Sequence, residues 1–188
     1  MKRLAVFVSG IGSLLEAMIK DGLDIDLVLT DRECRGQDIA VGAGIGLLTI
    51  NRSEFGLRRD FDRFTYTHEV TRMLRVYGID FIAMAGFMTV LHPYIFKQGF
   101  KGRILNTHPA LLPAFKGDHA VRDALACGVK VTGCTIHIAT EELDAGKILA
   151  QEAVPVLPDD TEATLHERIK QVERVLYPRT IREFAETL

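Results

Sequence analysis

The sequence predicts an α/β fold: one domain over residues 1–188 with a mostly parallel, twisted sheet and helices on both faces. Short apolar runs of strand length alternate with longer segments of helical periodicity from the first residues onward. This alternation indicates β-α-β units, because parallel strands need a crossover between them. The chain has 188 residues, of which 47% are hydrophobic, and that is enough for the core of a single domain.

The elements follow from the apolar pattern in chain order. Residues 4–8 form a short apolar run closed by Ser and Gly, which is typical of a buried parallel strand. Ser13 is predicted to cap the helix that follows, and Asp21-Gly22 to end it. The same criteria predict further strands at 25–30, 46–50, 80–85, 103–106 and 131–140. They predict further helices at 36–43, at 58–77, from an Asp118 cap to 126, and at 161–176, with Pro178 kinking or ending the last one.

Several segments come directly after predicted strands and are the first candidates for function. In parallel sheets, ligands bind beyond the carboxyl ends of the strands. Glycines, an amide, an imidazole and several carboxylates are found in these segments, which are 9–13, 85–91, 106–109 and 140–146.

The segment Ser9-Gly10-Ile11-Gly12-Ser13 lies between a predicted strand and a predicted helix start. Glycines permit a tight turn, and free N–H groups at a helix N-terminus attract anions. The segment lacks the third glycine of the dinucleotide fingerprint GxGxxG and the Gly-Lys-Ser/Thr of a P-loop. A phosphate site and a plain strand-to-helix turn are both open at this point.

Asn106 and His108 stand two residues apart where a predicted strand ends, so both side chains can point to the same side. An amide N–H can stabilise an oxyanion, and an imidazole can transfer a proton near neutral pH. No Ser or Cys occupies a nucleophile motif such as GxSxG. This favours direct transfer to an external nucleophile over covalent catalysis. The alternative is that both side chains only stabilise the turn held by Pro109.

The loop 140–146, after the strand that holds His137, is rich in carboxylates. A carboxylate beside His108 would orient the imidazole and stabilise its protonated form. The alternatives are an exposed acidic turn and, for His137, simple packing beside the sheet. A metal site at His108, His119, His137 and Asp144 is disfavoured because these residues lack the spacing of HExxH-like motifs, so we predict no metal.

Composition argues against several classes of partner. The net charge is -2 and 26% of the residues are charged. The chain therefore lacks the excess of basic residues that binding to nucleic acids or membrane surfaces requires. No run approaches the roughly 20 apolar residues of a membrane span. The Cys residues number 3, without paired spacing, which favours a reducing, cytoplasmic location.

Together these stretches resemble the folate-dependent formyltransferases over nearly the whole chain. The resemblance is carried by VFVSGIGSLLEAM (6–18), MAGFMTVL (84–91), ILNTHPALLPAFKG (104–117), VTGCTIHIATEELDAGKIL (131–149) and ERIKQVERVLYP (167–178). It implies a Rossmann-like fold and transfer of a formyl group from 10-formyltetrahydrofolate to the amine of glycinamide ribonucleotide, in purine biosynthesis. No metal is implied, and a homodimer is one assembly left open.

The resemblance also implies catalytic roles. Asn106 would hold the formyl oxygen as it becomes an oxyanion. His108 would act as general acid, and Asp144 would keep His108 oriented and charged. The substrate amine would attack the formyl carbon directly.

Ligand contacts are implied in the same way. The substrate phosphate would lie on the glycine turn, at Gly12, Ser13 and Leu14. The glycinamide end would approach Lys170 and Glu173. The folate would contact two loops and one further arginine, through Arg63, Met88, Thr89, Val90, Leu91, Asn106, Glu141 and Asp144.

Two positions depart from many relatives: Leu14 stands where Asn is common, and Thr89 where Arg is common. The first change removes a side-chain amide and keeps the backbone N–H groups. Among alternatives, formyl-handling enzymes with an added regulatory or RNA-binding domain are disfavoured by the length and the charge. A redox Rossmann protein would need a full glycine fingerprint. Sugar-nucleotide formyltransferases and a non-catalytic folate-binding module stay open.

Overall fold

The computed structural model describes residues 2–188, which form two compact units. The first unit is the chain up to Ile104 together with Leu188, and the second is Leu105–Thr187. The single domain over residues 1–188 stays a prediction, and Met1 lies outside the described residues. No helix within residues 2–188 is long and apolar enough to cross a membrane.

The first unit alternates strands and helices as predicted. Its strands are β1 (Leu4–Val8), β2 (Leu27–Thr30), β3 (Gly46–Thr49) and β4 (Phe81–Met84), and its helices are α1 (Ser13–Lys20), α2 (Arg35–Gly42) and α3 (Arg63–Val76). Shorter helical turns lie at Arg52–Phe55, Arg58–Asp60 and Phe96–Phe100. The strands pair in parallel in the order β3-β2-β1-β4. Every residue of β1 and β2 is buried, so these strands form the centre of the core.

The start of α1 differs from the prediction. Ser13 is the first residue of the helix, while the cap position is Gly12, at φ 72°, and no side chain caps the helix. A Cβ at Gly12 would lie 2.6 Å from the Ile39 side chain and 3.2 Å from Gly36. The turn therefore requires a glycine at the cap position, which leaves no side chain there to act as a cap.

The helix predicted at 58–77 is also shorter than expected. Residues 58–60 form a separate 3₁₀ turn, and α3 begins only after Asp62. The Asp62 carboxylate accepts a hydrogen bond from the Thr65 backbone N–H at 2.9 Å, which is the usual N-cap contact. The cap, and not the apolar spacing, determines where this helix begins.

The second unit contains antiparallel strands. Its strands are β5 (Ile104–His108, in this unit from Leu105), β6 (Val131–Ile138) and β7 (Ile148–Pro155), and its helices are α4 (Ala120–Cys127) and α5 (Glu162–Ala185). They pair in the order β5-β6-β7, both pairs antiparallel. Across residues 2–188, the predicted α/β class with a mostly parallel sheet is confirmed.

Three expectations in the second unit are corrected. β5 continues to His108, two residues beyond the predicted end, because its last residues pair with β6. Asp118 does not cap α4, whose cap position is His119 and has no side-chain hydrogen bond. The strand β7 was not predicted at all, because most of its residues are exposed or half-buried and the sequence lacks a buried apolar run there.

Pro178 does not end the last helix. Thr161 caps α5 by accepting from the Thr164 backbone N–H at 3.2 Å, and the helix continues through Pro178 to Ala185. A proline removes one helical hydrogen bond, but the residues around it are anchored. Tyr177 is fully buried, and its hydroxyl donates to the Leu105 carbonyl at 2.9 Å. Tertiary packing therefore outweighs the local cost of the proline.

Substituting Tyr177→Phe tests this anchor. The change leaves the buried Leu105 carbonyl on β5 without its donor, so the free energy of unfolding should fall by about 1 kcal/mol. Denaturant unfolding measures it, with Tyr77→Phe as the matched control, because Tyr77 is 37% exposed. Equal stabilities of the two variants would show that the hydroxyl contact contributes nothing.

Candidate active site

The pairing of β5 with β6 places a group of polar side chains on one face. Asn106 lies opposite His137, and His108 lies opposite Thr135. Side chains alternate along a strand and directly opposed residues share a face, so these side chains lie together. The sequence placed Asn106 and His108 on one side correctly. It could not identify their cross-strand partners, because the antiparallel register is not visible in the chain order.

The loop after β6 brings Asp144 into the same group. Its side chain is buried, with 7% of the residue exposed, and its backbone has φ 51°, a strained conformation for a residue with a side chain. A Cβ at Gly146 would lie 1.7 Å from the Ile138 carbonyl oxygen, so only glycine lets the loop pack this closely on β6. Glu141, predicted to contact folate, is exposed in the same loop.

The Asp144 carboxylate lies between two imidazole rings. Its Oδ2 is 3.3 Å from Nδ1 of His108, and its Oδ1 is 3.6 Å from Nε2 of His137. Oδ2 also accepts a hydrogen bond from the Gly117 backbone N–H at 2.9 Å. The predicted convergence of His108 and Asp144 is therefore present. A carboxylate at this distance fixes the orientation of the His108 ring.

The other ring nitrogen of His108 also faces an acceptor. Nε2 lies 2.7 Å from the Phe115 carbonyl oxygen, and a carbonyl can only accept, so Nε2 carries a proton. Nδ1 faces the carboxylate, which also accepts. Both ring nitrogens of His108 therefore face hydrogen-bond acceptors. Phe115 has φ 52°, so the segment that supplies this carbonyl is strained as well.

His137 was expected only to pack beside the sheet, and the structure adds it to the polar group. Its Nδ1 lies 3.1 Å from the Ile138 carbonyl and its Nε2 lies 3.4 Å from Nδ2 of Asn106. Burial lowers the pKa of His137 below its ordinary value, although the Ile138 carbonyl and Asp144 oppose this. A neutral ring with its proton on Nδ1 can accept from the Asn106 amide, so His137 orients that amide.

A second set of hydrogen bonds holds the segment that follows His108. The Thr135 hydroxyl donates to the Ala110 carbonyl at 2.6 Å and accepts from the Leu112 backbone N–H at 3.0 Å. The Gln151 side-chain amide donates to the Leu112 carbonyl at 2.9 Å. β6 and the unpredicted strand β7 therefore fix the chain as it leaves β5.

Lys170 and Glu173 lie elsewhere in the second unit. Glu173 on α5 accepts from the Thr107 hydroxyl at 2.8 Å, and Thr107 alternates with Asn106 and His108 on β5, on the opposite face. Burial raises the pKa of Glu173, while Thr107 and Lys170 lower it. The structure therefore brings Glu173 to β5 without adding it to the group around Asp144. The contact of both residues with substrate stays a prediction.

In the first unit, the predicted phosphate turn is a compact loop. The Gly10 carbonyl accepts from the Gly36 backbone N–H at 3.2 Å. The Leu14 side chain is buried, with 6% of the residue exposed, so only its backbone N–H could contact a ligand. Ser13 is half-buried at the first helical position. Gly12, Ser13 and Leu14 thus present N–H groups at a helix start, which suits an anion.

The residues predicted to contact folate in the first unit differ in exposure. Arg63 is exposed at the first position of α3. Met88 is 68% and Val90 61% exposed, whereas Thr89 and Leu91 are 4% and 8% exposed. Within residues 2–188, no group of His, Cys, Asp and Glu side chains is arranged to hold a metal ion.

Known proteins resemble this chain along nearly its whole length. The family model described as formyl transferase matches residues 2–181. The phosphoribosylglycinamide formyltransferase of Mycobacterium tuberculosis is 45% identical over 179 residues, covering 93% of this chain and 80% of that protein. The structure of glycinamide ribonucleotide transformylase 1 from Symbiobacterium toebii has a TM-score of 0.89 at 39% identity, covering 100% of this chain and 89% of that one.

A phosphoribosylglycinamide formyltransferase from Anaplasma phagocytophilum is also similar, with a TM-score of 0.88 at 37% identity, covering 99% of this chain and 88% of that one. Sequence and fold therefore agree, and the matched region includes all the polar residues grouped around Asp144. This chain belongs to the formyl transferase family of enzymes.

Proposed function

We propose that this chain transfers the formyl group of 10-formyltetrahydrofolate to the amine of glycinamide ribonucleotide, a step of purine biosynthesis. The similar proteins from M. tuberculosis and S. toebii are named for this transfer or this substrate. The observation that carries the proposal is the convergence of Asn106, His108 and Asp144 on one side of β5 and β6. This is the set of groups that a direct formyl transfer needs.

Asn106 and His108 would stabilise the transition state. The substrate amine attacks the formyl carbon, and the carbonyl oxygen becomes an oxyanion. One N–H of the Asn106 amide points to His137, so the other is free to donate to this oxygen. The N–H at Nε2 of His108 donates to the Phe115 carbonyl. In the transition state this N–H would donate to the oxyanion instead. Such preorganised donors stabilise developing charge strongly.

The remaining steps complete the transfer. The new bond joins the amine nitrogen to the formyl carbon, and the bond from that carbon to the folate nitrogen breaks. A proton leaves the amine and reaches the folate nitrogen, through a water held near Asp144. Asp144 keeps His108 positively charged and oriented throughout, because the carboxylate faces Nδ1 at 3.3 Å.

The ligand assignments are part of the same proposal. The phosphate would be held by backbone N–H groups at Gly12, Ser13 and Leu14, and the glycinamide end by Lys170 and Glu173. The folate would contact Arg63, Met88, Thr89, Val90, Leu91, Asn106, Glu141 and Asp144. The exposed apolar side chains of Met88 and Val90 support an aromatic ligand there. A cytoplasmic location and a homodimer remain predictions.

Substituting His108→Ala tests the proposed acid. We expect the rate of formyl transfer to fall by about 10²–10³, the usual effect of losing one donor to an oxyanion. The assay mixes protein, glycinamide ribonucleotide and 10-formyltetrahydrofolate and follows release of tetrahydrofolate. His68→Ala is the control, because His68 is exposed in the first unit. Full activity of the His108 variant would remove this residue from the mechanism, and turnover without the amine would favour a hydrolase.

Substituting Asp144→Asn tests the role of the charge. An amide keeps the size of the side chain and still accepts from the Gly117 N–H, but it no longer stabilises a positively charged His108. We expect kcat to fall at least about tenfold with little change in thermal stability. Glu142→Gln, a change in the same loop at an exposed residue, is the control. Unchanged kcat in the Asp144 variant would contradict the mechanism.

The pH dependence of stability tests whether His137 is neutral. Its pKa in the folded chain lies below the ordinary 6.5. Below that pH, His137 therefore binds protons more readily in the unfolded chain than in the folded chain. The stability gained from the neutral ring is complete above pH 6.5 and is lost as the pH falls toward the folded pKa.

The free energy of unfolding should therefore drop more between about pH 7 and about pH 5 in the unmodified chain than in His137→Gln. Denaturant titrations at each pH give this difference. The exposed His68→Gln variant should keep the slope of the unmodified chain. If the free energy of unfolding changed equally with pH in the unmodified and His137→Gln chains, the His137 ring would not contribute to the pH dependence of stability.

A further inference from the structure

Asp31 is a buried carboxylate that the proposed chemistry does not use. It follows Thr30, the last residue of β2, and its residue exposure is 0%. A buried charge is costly unless hydrogen bonds compensate it. The hydrogen-bond partners of Asp31 therefore indicate which parts of the fold this buried charge holds in place.

The Asp31 carboxylate accepts hydrogen bonds from several segments of the first unit. Arg32 donates through Nε at 3.0 Å and Nη2 at 2.8 Å, and the Thr89 hydroxyl donates at 2.5 Å. Burial alone would raise the pKa of Asp31, but hydrogen bonds from Arg32, Thr89 and Ser9 hold it below its ordinary value. The Ser9 oxygen also accepts from the Met88 backbone N–H at 2.9 Å. Met88 is thus connected to the carboxylate through Ser9.

These contacts connect the carboxyl ends of neighbouring strands. Ser9 follows β1, Asp31 follows β2, and the segment 85–91 follows β4, and these strands are neighbours in the order β2-β1-β4. The carboxyl ends of parallel strands are where ligands bind in α/β folds. A charge that fixes three such ends therefore acts on the shape of a binding surface.

The segment held by Asp31 alternates in exposure. Thr89 points inward to the carboxylate and is 4% exposed, while its neighbours Met88 and Val90 are 68% and 61% exposed. Large apolar side chains exposed near one another are typical of a surface that binds a ligand or a partner. The Thr89 anchor holds one side chain inward, between two neighbours that are exposed.

We propose that Asp31 is a positioning residue for folate: through Thr89 and Ser9 it holds Met88 and Val90 outward as an apolar surface for the folate ring. This inference rests on the proposed function. It assigns a role to a residue that touches neither substrate, and it makes the Thr89 hydroxyl, and not its methyl group, the determinant of folate affinity at this position.

The test compares Thr89→Val, which replaces the hydroxyl by a methyl group of similar size, with Thr89→Ser, which keeps the hydroxyl. Calorimetry with tetrahydrofolate gives the dissociation constant, and hydrogen exchange reports the Met88 amide, which donates to Ser9. We expect Thr89→Val to bind tetrahydrofolate about tenfold more weakly and to exchange Met88 faster. Thr89→Ser should restore both properties, and Asp31→Asn should resemble Thr89→Val.

Kinetics separate positioning from general damage. In Thr89→Val the KM for 10-formyltetrahydrofolate should rise about tenfold, while kcat and the KM for glycinamide ribonucleotide stay unchanged. Unchanged folate affinity in Thr89→Val, or equal weakening in Thr89→Ser, would overturn the inference. If Asp31→Asn does not fold, the two Thr89 variants still decide the question.

The unmodified chain is assayed first, so that the two proposals are judged separately. Absence of both formyl transfer and tetrahydrofolate binding would reject the proposed function and this inference with it. Normal transfer by the unmodified chain, together with normal folate affinity in Thr89→Val, would reject this inference alone.

Discussion

The proposed chemistry depends on one buried carboxylate, Asp144, which lies between the imidazoles of His108 and His137. Burying a carboxylate costs several kcal/mol unless its lone pairs are used. Here the Gly117 N–H and the Nδ1 side of the His108 ring use them. Asp144 adopts a left-handed backbone conformation to reach this position, and strain of this kind persists only where the surrounding structure enforces it.

The two rings then have different tasks because their surroundings differ. Both nitrogens of His108 face acceptors, and in the proposed mechanism this ring is the acid. Burial lowers the pKa of His137, which favours a neutral ring that can accept from Asn106 and set the direction of the amide. The antiparallel pairing of β5 and β6 makes this division possible.

The sequence was sufficient for the parts of the fold that rest on continuous apolar runs. β1 was predicted residue for residue, and the Asn106–His108 pair was placed on one side correctly, because strand alternation is local. Asp144 was assigned through the resemblance to a family, since no local rule joins residues far apart along the chain. Tertiary contacts overrode local signals at Ser13 and beyond Pro178, where the predictions were wrong or incomplete. The predicted Asp118 cap was also wrong. The role of His137 required the register of β5 with β6, and β7 has too few buried residues to be recognised.

Nitrogen NMR of the imidazole rings shows which ring nitrogens carry protons and so tests the contacts of Asp144. The chain has 6 His, and single substitutions assign their signals. We expect the His108 ring to carry a proton on Nδ1, the nitrogen that faces Asp144, and the His137 ring to be protonated on Nδ1 only. A His108 ring without a proton on Nδ1 would contradict the claim that the Asp144 carboxylate holds and charges it.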